Sequence, residues 1–569
     1  MKNSFIIAID FGTAYSGYAF SIKPRQEEIE PHLKKWGEEL ALDTPKTPTC
    51  ILFDEHEEFL SFGYVARDNY LKMRGDEARN KFFFDCFKMS IYGKKVNRNL
   101  TIQAANGKLM KALKVFTEAL RFLKEHALKT IAENTEGSQF IASDFTWVLT
   151  VPAIWDPSAK QFMREAAAQA GIVTEGNEEG LVIALEPEAA SVWCRKLPAD
   201  GFIAENYGEV TLDQTKGTQY IVVDCGGGTI DITVHEVLKG GALKELHKAS
   251  GNDLGGQSVD RKFKEFLKEI LFDGVWDEYE QKHPSEIQKI MYDFTLFKKK
   301  DEDVEFSCPF NLGNLAQKRQ EIEKFFESVQ GASWDEGAIK ISKEKLRSFF
   351  AESLKGITDS LREILKKDLN IEYILLVGGY AESQILRQHV IDQFGDQCKI
   401  LCPVRPQEAI LKGAVQFGIN PAVMASRKSA FTYGFAVAER FNASKHRGGK
   451  QLINADGVWC VDIFLQLVKI DEDVAWNETR KYILNPAKTD QTEMTLAFYR
   501  TECENPMYVS EKGVKVIGVT VVSMPDTRSG RNRLVELEIK FGSTEMTASG
   551  TDINSGLKKS IKLDFMTKM

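Results

Sequence analysis

The chain has no paired cysteine motif and no long apolar run, and each absence excludes a class of protein. Its nine cysteines, Cys50, Cys86, Cys194, Cys225, Cys308, Cys398, Cys402, Cys460 and Cys503, are odd in number and scattered, and none stands in the Cys-x-x-Cys spacing that ligates zinc. They read as reduced thiols of a cytoplasmic protein, with Cys398 and Cys402 as buried thiols and not a metal pair. The opening apolar stretch Phe5 to Ile9 stops at Asp10, too short for a secretory signal, and no run approaches the ~18 apolar residues of a membrane span. An excess of positive charge is also missing. With 74 Lys+Arg against 82 Asp+Glu the formal net charge is −8, which does not favour a broad grip on nucleic-acid phosphates. What is present is an average globular composition, 43% hydrophobic, 27% charged and 10% aromatic, which argues against wholesale disorder. At ~150 residues per domain, 569 residues leave room for about four compact units.

Two distant segments share one design, an apolar strand running into an aspartate, a Gly/Thr-rich turn, and a second strand: FIIAIDFGTAYSGYAF and YIVVDCGGGTIDITVHEV. After the second turn Ile230, Ile232 and Val234 alternate with Asp231, Thr233 and His235, a strand period and not the helix that follows a dinucleotide-binding glycine loop. Two such hairpins suggest two similar lobes with their turns facing one cleft. Between them WVLTVPAIW reads as a strand ending at Pro152, followed by a helix that Asp156 caps, Pro157 starts and Gly171 closes. The stretch from Ser258 to Phe350 reads as mostly helical, with helical spacing in RKFKEFLKEILF and IEKFFESV. Tyr373 to Val377, Gly378-Gly379 and the helical spacing of Ile385, Leu386, His389 and Val390 predict strand, Gly-Gly, helix. Beyond about Pro421 two-residue alternation takes over, as in Leu537, Ile539, Phe541 and in Ile561, Leu563, Phe565. With Asn554-Ser555-Gly556 as a turn, this predicts an antiparallel β sandwich.

A cleft between two such hairpins suits a polyphosphate. Backbone N–H groups of Gly12 and Thr13 on one side, and of Gly226, Gly227, Gly228 and Thr229 on the other, can form concave anion sites. Asp10 and Asp224, at the strand ends before these turns, can hold a hydrated magnesium ion that keeps most of its waters. Taken singly, each signal has a plainer reading: Asp before a glycine turn as a turn former, Glu186 as a helix N-terminal acid, Lys88 as a surface lysine, Lys298 to Lys300 as a solvated charged face, and Phe82-Phe83-Phe84 as packing.

The order of IDFGT, VPA, EPEAA, DCGGGTID, LGG and LLVGGY over roughly residues 5 to 420 resembles the actin-like ATPase fold of the heat shock 70 kDa family, and within it the divergent 12A/12B branch. The resemblance implies an α/β, two-lobed nucleotide-binding domain of duplicated ribonuclease H-like halves over residues 1–425. Lobe I spans about 1–215, lobe II about 216–400 with a helical insertion at about 258–350, and a return to lobe I about 401–420. A β-rich domain over 426–569 follows, like a peptide-binding sandwich without its helical lid. It implies ATP/ADP and Mg2+ as ligands, with Asp10, Gly12 and Thr13 in the first phosphate loop and Asp224, Gly226, Gly227, Gly228 and Thr229 in the second. Asp231 then holds a nearby cation, and Gly256, Gly378, Gly379 and Lys299 border the nucleotide. Lys88 matches the lysine that touches the γ-phosphate, one residue out of register with the family segment, and Glu186 matches the glutamate that orients the attacking water.

Three departures go with the resemblance. Tyr380 and Glu382 replace a polar residue and a purine-stacking arginine, Thr295 stands where an adenosine-contacting glutamate is expected, and Val423 to Lys428 replaces the acidic linker. The expectation is a stress-related, cytoplasmic Mg-ATP-binding chaperone-like protein with weak ATPase activity and protein or peptide clients on the β domain. It includes no nucleic acid and no membrane span. A nucleotide-binding scaffold with negligible turnover, or a small-molecule kinase of the same fold, are the alternatives.

Overall fold

The computed structural model describes residues 5–22, 30–94, 96–135, 137–173, 177–203, 210–446, 450–454, 457–541, 545–553, 557–561 and 565–566. The Asn554-Ser555-Gly556 turn and Leu563 lie outside the described residues.

Two sheets with the same internal plan organise the first three quarters of the chain. In one, the hairpin Phe5–Phe11 and Tyr15–Ser21 is extended in parallel by Phe145–Val151 and then Leu181–Leu185. In the other, the hairpin Gln219–Cys225 and Ile230–Val237 is extended in parallel by Ile371–Val377 and then Lys399–Leu401. Asp10 pairs with Gly17 and Asp224 with Asp231, so both aspartates sit at the turn end of their hairpins. The polar members of the second hairpin, Asp231, Thr233 and His235, are buried like their apolar neighbours, because this sheet is covered on both faces. His235 is accommodated by a hydrogen bond between its Nδ1 and Ser191 Oγ at 3.1 Å.

The helix after Pro152 runs Pro157–Gln169. The Asp156 carboxylate accepts from the N–H groups of Ser158 and Ala159, and Gly171 follows the helix at φ 75°. The third glycine site also has its expected order: strand Ile371–Val377, Gly378, a short 3-10 turn Gly379–Glu382, then helix Gln384–Phe394.

The stretch from Ser258 to Phe350 is mostly helical, as its spacing predicts, and ends in the helix Lys343–Leu365, but it also contains a small sheet. Helices Gly256–Ile270, Val275–Lys282, Pro284–Phe297 and Phe310–Gln317 are joined by a three-stranded antiparallel sheet, Val304–Ser307, Ala338–Ile341 and Ala332–Asp335. Its hairpin turns through Glu336 and Gly337 with both φ positive, the geometry that matches strand twist. IEKFFESV is not a helix. Only Ile322–Phe325 forms a 3-10 turn, because its apolar residues Ile322, Phe325 and Phe326 fill one core face over a single turn.

Beyond these two lobes lie a five-stranded antiparallel sheet, in the order Gln451–Asn454, Gly457–Val468, Thr432–Arg440, Glu493–Thr501, Lys515–Ser523, and a four-stranded one, Thr479–Leu484, Val535–Lys540, Thr547–Asp552, Leu557–Ile561. Both contribute to one apolar cluster containing Phe435, Leu496 and Phe498 from the first and Leu537 and Ile539 from the second. Strand Met424–Lys428 joins the two halves. It pairs in parallel with Leu243–Asn252 of the second lobe and antiparallel with Asp473–Ala475, so the expected boundary at 425/426 falls inside a strand. Among the described residues no helix is long and apolar enough to cross a membrane.

Candidate functional site

The glycine turns of the two hairpins abut. A Cβ on Gly227 would stand 2.8 Å from that of Ala14, and one on Gly228 would stand 2.7 Å from Thr13 Oγ1, so these positions admit only hydrogen at the contact between lobes. A pocket opens at this contact. It is lined by Asp10, Gly12, Thr13, Glu186, Asp224, Gly226, Gly227, Thr229, Gly256, Lys299, Gly378 and Gly379 among the residues expected from sequence, and by Lys46, Asp260, Lys298, Tyr380, Ser383 and Gln407 among others.

Three expected residues do not line it. Lys88 lies behind Glu186, with Nζ 2.5 Å from Glu186 Oε1, and both are buried. Asp231 is fully buried and its Oδ1 accepts from the Ile154 N–H at 3.0 Å. Gly228 sits under Met89 and Thr13. The anion-site reading of the second loop is also corrected in part. The Gly226 N–H is used within the hairpin, donating to Thr229 O at 3.0 Å. The loop's carbonyls receive the first N–H groups of the helix Gly256–Ile270, Gly256 to Gly226 O and Gln257 to Gly227 O. Those donors are spent on holding the loop against the helix.

The floor of the pocket is acidic. Asp10 Oδ1 accepts from Thr150 Oγ1 at 2.7 Å, and its Oδ2 pairs with Lys46. Asp224 Oδ1 is buried with no hydrogen-bond partner. Burial, then the charges of Glu186, Asp231 and Asp10, hold the Asp224 carboxyl well above the usual carboxylate range. Burial also raises Glu186, an effect that Lys88 opposes and Asp10 and Asp231 reinforce. A buried acid whose carboxylate form is this costly is stabilised by an added cation. Among the described residues, no three His, Cys, Asp or Glu side chains converge closely enough to ligate one ion directly.

Gly378 closes the other side at φ 86°, and a Cβ there would overlap Asp224 Oδ1 and the Cys225 carbonyl. Lys298 is not part of a solvated face. Its Nζ donates to Gly256 O at 2.7 Å and to Asp260 Oδ1 at 2.6 Å. Lys299 Nζ donates to Glu382 Oε2 at 2.8 Å, and Gln407 Nε2 to Glu382 Oε1 at 2.7 Å, so Glu382 anchors two pocket-lining side chains. Tyr380 is buried and stacks at 6.0 Å on Phe350.

A family model described as Hsp70 protein matches residues 86–428, a span that contains most of this pocket. Heat shock 70 kDa protein 12A of Homo sapiens is 34% identical over 99% of this chain and 91% of its own length. This chain belongs to the Hsp70 family. Heat shock 70 kDa protein 12B of Homo sapiens is 33% identical over the same shares, and the chaperone protein DnaK of Mycoplasmopsis synoviae is 25% identical over 56% of this chain and 46% of its own. Membership of the Hsp70 family supports a nucleotide-binding, Hsp70-like protein built on an α/β nucleotide domain.

Sequence reasoning missed Lys46, the Lys298–Asp260 pair and a second buried ion pair close to the site. Glu188, two residues beyond Glu186 on the helix Glu186–Cys194, is fully buried and takes a bidentate fork from Arg427, Nε to Oε1 at 2.6 Å and Nη2 to Oε2 at 2.7 Å. The segment read as a replaced linker is therefore a strand tied to the helix that carries Glu186. None of these pairs carries a period or motif; only the EPEAA run flags Glu188.

Proposed function

We propose that this Hsp70-family chain binds Mg-ATP between its two glycine turns, hydrolyses it slowly, and couples nucleotide state to protein contacts made by its C-terminal sheets. The observation that carries the reading is the abutting pair of turns over a buried acidic floor, in which one Asp224 oxygen has no partner. That floor fits a hydrated divalent cation. Asp10 and Asp224 would hold magnesium through its water shell, with the buried Asp231 adding negative charge from behind the pocket wall, and the ion would supply charge neutralisation to phosphate oxygens. The chain's own residues do the rest. Gly12, Thr13, Gly227 and Thr229 border the phosphates; Gly256, Gly378, Gly379 and Lys299 border the nucleoside. Glu186, with its pKa raised toward neutrality, orients water and accepts its proton, and Lys88 at 2.5 Å holds that carboxylate in place. Positioning and a preorganised field supply the rate, as in other phosphoryl transfers. The C-terminal sheets, whose two faces share one core, are the surface for protein or peptide segments. The DnaK relative's description as a chaperone supports that assignment.

Calorimetric titration of ADP with and without magnesium tests the site. Asp10→Asn and Asp224→Asn each weaken metal-dependent binding, and unchanged affinity in both rejects it. In a single turnover Glu186→Gln retains binding and loses phosphate release. Release at the parent rate removes Glu186 from the reaction, and binding with no release in the parent leaves a nucleotide-gated interaction protein.

A further inference from the structure

Four buried carboxylates form one cluster at the acidic floor, Asp10, Glu186 and Asp224 lining the pocket and Asp231 behind it, and two lysines stand among them. Lys88 pairs with Glu186. Lys46 pairs with Asp10 and was not expected there. Its side chain is 7% exposed and borders the pocket. Its backbone is held on both sides. Thr44 Oγ1 donates to Lys46 O at 2.9 Å, and Thr47 opens a short strand paired with Tyr15–Ser21 while its Oγ1 accepts from the Tyr64 N–H at 3.0 Å.

The two aspartates of the duplicated hairpins are therefore not equivalent. Both oxygens of Asp10 have protein partners, Thr150 and Lys46, whereas Asp224 Oδ1 has none. With all groups ionised the cluster carries two negative charges in excess, and without Lys46 it would carry three. An ammonium has three N–H donors, and Asp10 is the one partner of Lys46 Nζ among the described residues, so donors remain for oxygens arriving in the pocket.

We propose that Lys46 is a resident counter-ion of this site: it neutralises Asp10 in place of a metal and offers its remaining donors to the polyphosphate, so this chain holds a nucleoside diphosphate with reduced dependence on divalent cation. The inference rests on the nucleotide-site reading above. It departs from that reading at one point, the metal: there Asp10 shares in holding magnesium, whereas here Lys46 takes that place at Asp10 and leaves Asp224 as the carboxylate open to a cation.

The test is calorimetry of ADP with the full chain, in magnesium and in EDTA, for the parent, Lys46→Met and Lys46→Arg, with magnesium alone titrated into each. The parent loses less than about tenfold in ADP affinity when the metal is removed, and Lys46→Met loses at least about tenfold more than the parent does, the least effect of one unit charge at close range in a partly buried site. Lys46→Arg follows the parent. Magnesium alone binds Lys46→Met more tightly than the parent, since nothing competes for Asp10. An equal magnesium dependence in the parent and Lys46→Met, within about twofold, overturns the proposal. So does a parent that loses more than about a thousandfold without metal, a result that needs no variant to fold. Absence of ADP binding in every condition overturns the nucleotide reading along with it.

Discussion

Removing Arg427 is the perturbation whose size the structure sets most directly. Its guanidinium reaches Glu188 with two short parallel hydrogen bonds, at 2.6 and 2.7 Å, and lies 5.2 Å from the Trp476 ring centroid. Glu188 is fully buried on the helix that begins with Glu186. Arg427→Met keeps much of the side-chain volume but strands this carboxylate among Glu245 and the apolar packing of the helix. Breaking one partner of such a pair costs roughly 3–5 kcal/mol, because the remaining charge stays buried, and the Lys160 charge that also acts on Glu188 sets the expected loss at the lower end of that range. Against a typical domain margin of about 5–15 kcal/mol this is a large loss. Replacing both partners removes the stranded charge, so Glu188→Met with Arg427→Met is more stable than Arg427→Met alone. Urea unfolding followed by circular dichroism reads both comparisons. If Arg427→Met lies within about 1 kcal/mol of the parent, or the double variant is weaker than the single by the whole cost of Glu188→Met, the argument from an uncompensated buried charge is wrong.

Three further substitutions test other features. Burial pushes the Glu245 carboxyl up to about 8, helped by the Glu188 charge and opposed by the Lys428 N–H and Arg427. The folded chain therefore holds a proton that the unfolded chain releases above about 4.5, and this group's stabilisation is present at low pH and lost as pH rises toward about 8. Relative to Glu245→Gln, the parent loses stability between about pH 5 and pH 9, and parallel urea midpoints for the two across that range would remove Glu245 from the balance. Gly378→Ala forces a Cβ into Asp224 Oδ1 at a positive φ, costing roughly 1–3 kcal/mol and abolishing nucleotide binding. Gly379→Ala, whose Cβ would meet Gln407 at an ordinary 3.6 Å, retains binding, and equal behaviour of the two variants by calorimetry contradicts this account.

The features legible from sequence are those with a short-range cause. Asp10 and Asp224 at their turns follow from apolar strands running into Gly/Thr bends, and the Pro157–Gln169 helix from its Asp-Pro start. The misreadings are equally local. IEKFFESV has helical spacing but too few turns to hold a helix against core packing, and the small sheet around Ala338–Ile341 is made of strands too short to show a period. Lys298 looked solvated because its neighbours are charged; its partner Asp260 lies on another helix.

The amino-acid order by itself therefore determines two hairpins with acidic, glycine-rich turns, a third strand-Gly-Gly-helix unit and a β-rich remainder, since each follows from steric and hydrophobic preferences among residues close along the chain. Only the tertiary structure decides that the two turns touch, that Lys46 closes Asp10 while Asp224 keeps a free oxygen, and that Arg427 joins Glu188 across 239 positions. The physical reason is that a charge has no directional signature in sequence. Its partner is chosen by which groups the folded core strips of water together, and that is a property of distance in space.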